Sequence, residues 1–170
     1  MITLFAAGLI ILLIAADQWI KVWAVNELAG SSSVPLIPKV LQFTYVENYG
    51  GAFGIFQGKA FLLGIITAVF LAALTGLVFF FGVKKRFALM WILAVVSGGG
   101  IGNLIDRFWR GFVVDYIDFC LIHFPVFNFA DCCVVVGTIT LMVYVFWKDR
   151  ESEKLKKAQI ESRKETPPGE

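Results

Sequence analysis

Apolar positions along this chain gather into four long blocks, roughly 2–25, 60–83, 87–105 and 129–147, separated by two mixed loops and one short basic turn. Crossing a hydrocarbon core takes roughly 20 mainly apolar residues in a helix, and each block approaches or exceeds that length. The pattern predicts four transmembrane helices. The first block begins ITLFAAGLIILLIAA without a basic segment ahead of it and runs on through Asp17, Trp19, Lys21 and Trp23. It is read as a retained helix and not as a cleaved leader. The second block carries no charge and is expected to face lipid around most of its surface.

The loops 26–59 and 106–128 carry a different pattern. SSSVPLIP is read as turns, and KVLQFTYVE alternates, placing Leu41, Phe43 and Tyr45 on one face and Gln42 and Thr44 on the other. FVVDYIDF is rich in the β-branched and aromatic residues that favour strands. The expected fold is therefore a membrane all-α class: four transmembrane helices with a small extracytoplasmic β-sheet in the outer loops. Residues 1–150 form one membrane domain, and 151–170 a polar tail, helical at first and then disordered.

Composition agrees with a bilayer. At 58% hydrophobic and 16% charged residues, a 170-residue chain is too apolar for a soluble domain. Fifteen Lys and Arg stand against thirteen Asp and Glu, and the bases of the tail are interleaved with acids, which leaves no basic surface for nucleic acid. The uncompensated bases Lys84, Lys85 and Arg86 place the turn between spans two and three in the cytoplasm. With four spans both termini share that side, and the two loops face outward. Cys120, Cys132 and Cys133 are odd in number with two adjacent, so all three are read as free thiols. One histidine, His123, and no HExxH or CxxC provide too few ligands for a zinc site, so no metal and no cofactor are expected.

Five acids lie where hydrophobicity makes acids rare: Asp17, Asp106, Asp115, Asp118 and Asp131. An Asp at a helix centre costs roughly 2.5 to 3.5 kcal/mol on insertion scales, so such acids are paired, hydrated or functional. Asp131 opens the fourth span, where the helix dipole favours its charge and apolar surroundings oppose it; a tuned catalytic acid and a plain helix cap shared with Asn128 are both open. Asp115 lies in a strand-like run, and Asp118, three positions on, points to the opposite side. If Asp115 faces Asp131, the two carboxylates can hold one water, one ionised as general base and one protonated to polarise a peptide carbonyl. Asp106, followed by Arg107 and Arg110, reads as an ion pair at the end of span three, and Asp17 with Lys21 as an i, i+4 structural pair.

Glycines form two clusters. SGGGIGN at 97–103 lies inside a span, with Gly98 and Gly102 at GxxxG spacing, and is explained by close helix packing. ENYGGAFG at 47–54 lies in the outer loop, where substrate positioning and a simple turn are both open.

Five ordered motifs, ADQWIK, ENYGGAF, GGIGNLIDR, VVDYIDF and FNFAD, together resemble the lipoprotein signal peptidase (signal peptidase II) family over most of 12–147. The resemblance implies an aspartyl endopeptidase with Asp115 and Asp131 as catalytic residues. It further implies that Asn48, Gly50, Asn103, Arg107 and Asn128 shape the site or contact substrate, and that Asp17 and Lys21 form a supporting pair. The implied substrate is a diacylglyceryl-modified prolipoprotein, cut before the lipidated cysteine at the outer face of the bacterial cytoplasmic membrane, with membrane lipids as further partners and a monomeric enzyme. The implied fold adds an interfacial helix to four spans and a β-cradle. Gly51 stands where alanine is usual, and Cys132 and Cys133 stand where small residues are expected.

Rival readings have less support. A GxGD intramembrane protease requires an acid where GIGN carries Asn103, and a serine-lysine peptidase has only Ser31 to Ser33 with Lys39. A four-span transporter subunit or assembly factor would also explain buried acids and glycine packing, but would distribute its acids through the membrane depth.

Overall fold

The computed structural model describes residues 2–51, 60–122 and 124–165. Ala52 to Gly54 of the outer glycine cluster, His123 and the expected disordered end at 166–170 lie outside them. Four helices, α1 (Ile2–Leu28), α2 (Ala60–Val83), α3 (Phe87–Trp109) and α4 (Phe129–Glu165), are joined by strands β1 (Val34–Ile37), β2 (Leu41–Asn48) and β3 (Val113–Asp118). Each helix is long and apolar enough to cross a membrane. The expected fold class is observed, with shifted boundaries. Helices α1 and α3 run to 28 and 109, past the predicted 25 and 105, because their last turns are held by the sheet and by buried ion pairs. Helix α4 continues to Glu165, so much of the predicted tail is an extension of the fourth helix.

Helix α3 sits at the centre: 50% of its apolar window is buried, against 17% for each of the others. The glycine run explains how three neighbours approach it. A Cβ on Gly98 would lie 2.9 Å from Cβ of Leu13 on α1, one on Gly99 would lie 2.8 Å from Cβ of Cys133 on α4, and one on Gly100 would lie 3.2 Å from Cδ1 of Leu71 on α2. Successive helical residues turn by about 100°, so three consecutive glycines open three faces. Gly102, one turn after Gly98, meets the Asp17 carboxylate on α1 in the same way. Ala6, Ile10, Val78, Met90, Leu93 and Ala94 fill the core between α1, α2 and α3.

The sheet has strand order β1-β2-β3 and is antiparallel throughout. SSSVPLIP, read as turns, in fact contains β1; its Pro35 is tolerated because β1 is the edge strand, and the register shifts beside it. Lys39, with φ of 63°, makes the turn into β2. Phe43 and Tyr45 pack with Val114 and Tyr116 onto Ala24 and Leu28 at the end of α1, which seats the sheet on the bundle. Opposite Val46 lies Asp115, and opposite Asn48 lies Val113. Between β3 and α4 stands one 3-10 turn, Cys120–Ile122; among the described residues no longer interfacial helix is present.

Candidate active site

Asp115 sits third in β3, 2% exposed, where the antiparallel pairing brings the end of β2 beside it. Asn48 Nδ2 donates to its Oδ2 at 2.9 Å and Asn128 Nδ2 to its Oδ1 at 2.6 Å. Burial, and secondarily the charge of Asp131, push its carboxyl up to about 6; the two amide donors and Lys21 oppose the rise. Gly50 N–H donates to Asn48 Oδ1 at 3.0 Å, which leaves the Asn48 amide nitrogen directed at Asp115.

Asp131 lies in the first turn of α4, and the helix start is held side chain by side chain. Phe129 N–H donates to Tyr116 Oη at 3.1 Å, Ala130 N–H to Asp17 Oδ1 at 3.2 Å, and Asp131 N–H to Asn128 Oδ1 at 2.9 Å. Asn128 N–H returns a bond to Asp131 Oδ2 at 3.2 Å, completing a reciprocal capping arrangement. The cap uses one carboxylate oxygen. The other, Oδ1, accepts from Asn103 Nδ2 of α3 at 2.8 Å. The cap geometry and a place in the cavity thus coexist at Asp131.

Both carboxylates line one cavity of about 700 Å³. Its polar side is formed by Glu47, Asn48, Asn103, Arg107, Asp115 and Asp131, with Glu47 held by the Tyr45 and Tyr49 hydroxyls, and its apolar wall by the segment 124–127 and the valines 134–136 of α4. Arg107 reaches the Asn103 carbonyl with Nη1 at 3.3 Å and the Gly50 carbonyl with Nη2 at 3.5 Å; its Nε is buried and without a hydrogen-bond partner among the described residues. Cys132 lines the cavity beside Asp131, and Cys133 turns inward; both are free, as is Cys120. Among the described residues no three His, Cys, Asp or Glu side chains converge in a way that could hold a metal ion.

Asp118 is held elsewhere, by Gln42 Nε2 at 2.7 Å, and is not part of the cavity lining. The two structural pairs expected from spacing, Asp17 with Lys21 and Asp106 with an arginine, form one buried network. Lys21 Nζ lies 2.9 Å from Asp17 Oδ2 and 2.8 Å from Asp106 Oδ2, all three side chains being fully buried. Asp106 pairs with Arg110, one helical turn on, while Arg107 faces the cavity. Two participants escaped the sequence reading. Gln18 donates to Gly102 O and Asp106, and accepts from Arg110; Tyr116 anchors α4. A polar residue beside Asp17 inside an apolar span was the available signal for Gln18.

Asp17, Asn48, Gly50, Asn103, Asp106, Arg107, Asp115, Asn128 and Asp131 are therefore assembled at the sheet end of the bundle, and Asp118 is not among them. A family model described as signal peptidase (SPase) II matches residues 9–147. A lipoprotein signal peptidase of Clostridioides difficile (strain 630) is 45% identical over 146 residues, covering 85% of this chain and 96% of the relative. One from Halothermothrix orenii is 36% identical over 141 residues, covering 83% and 94%. Two solved structures of a bacterial membrane enzyme, obtained by the in meso method at 2.3 and 1.9 Å, superpose with TM-scores of 0.71 and 0.70 at 28% and 29% identity. They cover 85% and 83% of this chain and 89% and 92% of their own. The chain belongs to the signal peptidase II family of membrane proteases.

Proposed function

We propose that this chain is an aspartyl endopeptidase that removes signal peptides from diacylglyceryl-modified prolipoproteins, cleaving before the lipidated cysteine with a water activated by Asp115 and Asp131. The observation that carries the reading is the shared ligand Asn128, whose amide nitrogen holds Asp115 while its backbone N–H and Oδ1 hold Asp131 in the same cavity. Two carboxylates so close cannot both ionise cheaply, so the pair retains one proton. The ionised member takes a proton from water as the oxygen attacks the scissile carbonyl. The protonated member gives its proton to the carbonyl oxygen. On collapse the first member passes the proton it took from water to the leaving nitrogen, and the second takes one back from the gem-diol hydroxyl, which restores the pair as the C–N bond breaks. The roles belong to the pair, and the apolar wall beside it suits a lipid-bearing substrate.

The outer face is the proposed side of action. Helices α1 and α3 both end at the sheet, so the site lies opposite the Lys84–Arg86 turn, which the distribution of basic residues assigns to the cytoplasm together with both termini. Asp17, Asp106, Asp115 and Asp131 form one connected group at that end, an arrangement that favours surface hydrolysis over a transport path.

The test is cleavage of a diacylglyceryl-modified prolipoprotein by the purified protein in detergent, with an unlipidated precursor as control. Lipid-dependent cleavage that disappears in Asp115→Asn and in Asp131→Asn supports the reading. A folded wild type that leaves the lipidated substrate intact refutes it.

A further inference from the structure

Lys21 is fully buried on α1, and its ammonium has three protons to place. Two go to Asp17 Oδ2 and Asp106 Oδ2. The third goes to Asn103 Oδ1 at 2.7 Å, across 82 residues of sequence. Asn103 Oδ1 also accepts from Asn128 Nδ2 at 3.1 Å, and the other end of the same amide, Nδ2, donates to Asp131 Oδ1 at 2.8 Å.

An amide side chain can rotate by half a turn and exchange its oxygen and nitrogen. An ammonium only donates, so it accepts one of these orientations and repels the other. Flipping Asn103 would set its NH2 against the Lys21 ammonium and the Asn128 NH2, and its oxygen against the Asp131 carboxylate. Charge-assisted bonds are the stronger kind, so the ammonium is the firmer of the two donors on Asn103 Oδ1. The two aspartates in turn hold the ammonium, whose side chain is shielded from bulk solvent.

We propose that Lys21 is a positioning residue for the reaction: clamped by Asp17 and Asp106, it fixes the amide of Asn103 so that Nδ2 faces Asp131. This inference rests on the Asp115 and Asp131 reading given above. It explains why an ion-pair network lies directly beneath a hydrolytic pair when packing alone would be served by apolar residues of similar volume.

Removing Lys21 alone strands two buried carboxylates, so the test keeps the charge balanced. Asp17→Asn with Lys21→Met removes one charge of each sign and the donor at position 21, so that Asn103 Oδ1 keeps only the Asn128 amide; Asp17→Asn with Lys21→Gln has the same charge and retains an amide donor there. Both pairs keep a side-chain carbonyl oxygen at position 17 to accept from the Ala130 N–H. The Met pair is expected to lower kcat on lipidated prolipoprotein roughly 10- to 100-fold, the scale on which small misplacements act. KM should stay within about twofold, because substrate binding is not the function assigned. The Gln pair is expected to recover most of that kcat at the same thermal midpoint.

Asn103→Leu, which leaves all buried charges in place, must lose kcat at least as far as the Met pair. Equal kcat in folded Met and Gln pairs overturns the proposal, and so does an Asn103→Leu protein with near-wild-type kcat, whether or not the Lys21 variants fold. Failure of the underlying reading is separately visible as cleavage surviving in Asp115→Asn or Asp131→Asn.

Discussion

Asn128 Nδ2 stands 2.6 Å from Asp115 Oδ1, and Asn128 is also the residue that caps the helix bearing Asp131. A helix cap ordinarily serves only its own helix. Here its spare amide protons reach a strand and the neighbouring helix, so the placement of α4 and the placement of the two carboxylates depend on one side chain.

Asn128→Ala should accordingly cost more than Asn48→Ala in both stability and rate. The first strands Asp131 N–H and Asp115 Oδ1 in buried surroundings, at about 1–3 kcal/mol for each group, while Asn103 Oδ1 keeps Lys21. The second strands one oxygen of Asp115 at the cavity edge. Thermal unfolding in detergent together with kcat on lipidated substrate ranks the two; a reversed order counts against the shared-ligand account.

Asp115→Asn and Asp131→Asn should remain folded and lose at least about 10³-fold in kcat, the scale on which a pair acting as one unit fails. Asp118→Asn should retain activity within several-fold, since Gln42 holds Asp118 away from the cavity. The same cleavage assay on all three variants decides it, and equal losses would dismiss the pair.

Stability should depend on pH through Asp115. Its folded value of about 6 lies above the ordinary 3.8, so between those values the folded state holds the extra proton. Stability from this group is therefore greatest below about pH 4 and falls as pH rises through 6, by an amount of order 2–3 kcal/mol. Asp115→Asn lacks this dependence. The difference in Tm between Asp115→Asn and wild type should move in favour of the variant from pH 4 to pH 7, and a difference constant over that range contradicts the burial argument.

Gly99→Ala should destabilise by about 1–3 kcal/mol, the usual cost of overpacking, because its methyl meets the Ala130 carbonyl and Cys133 Cβ at the start of α4. Gly76→Ala, with nothing within 4 Å of its new methyl, should be neutral or mildly stabilising. Paired unfolding curves in one detergent test both, and equal midpoints would mean that α3 and α4 pack more loosely than described.

Much of this protein was legible in one dimension. Apolar length sets spans, so four helices and their order followed from block lengths. Acids are costly near membrane depth, so Asp17, Asp106, Asp115, Asp118 and Asp131 stood out before any contact was known. Alternation along VVDYIDF separated Asp115 from Asp118, and GxxxG spacing predicted the close approach at Gly98 and Gly102. Local pattern misread SSSVPLIP, because an edge strand tolerates the Pro that reads as a turn, and it left the length of the tail's helix open, because a polar helix carries no apolar signal. The site itself was decided by tertiary structure. Ala130 N–H meets Asp17 across 113 residues and Lys21 meets Asn103 across 82, and no periodicity records partners at that distance. Spacing could pair Asp17 with Lys21 and Asp106 with an arginine one turn away. Only the approach of α1 to α3, opened by Gly98 and Gly102, could merge those pairs into one network and set it beneath Asp131.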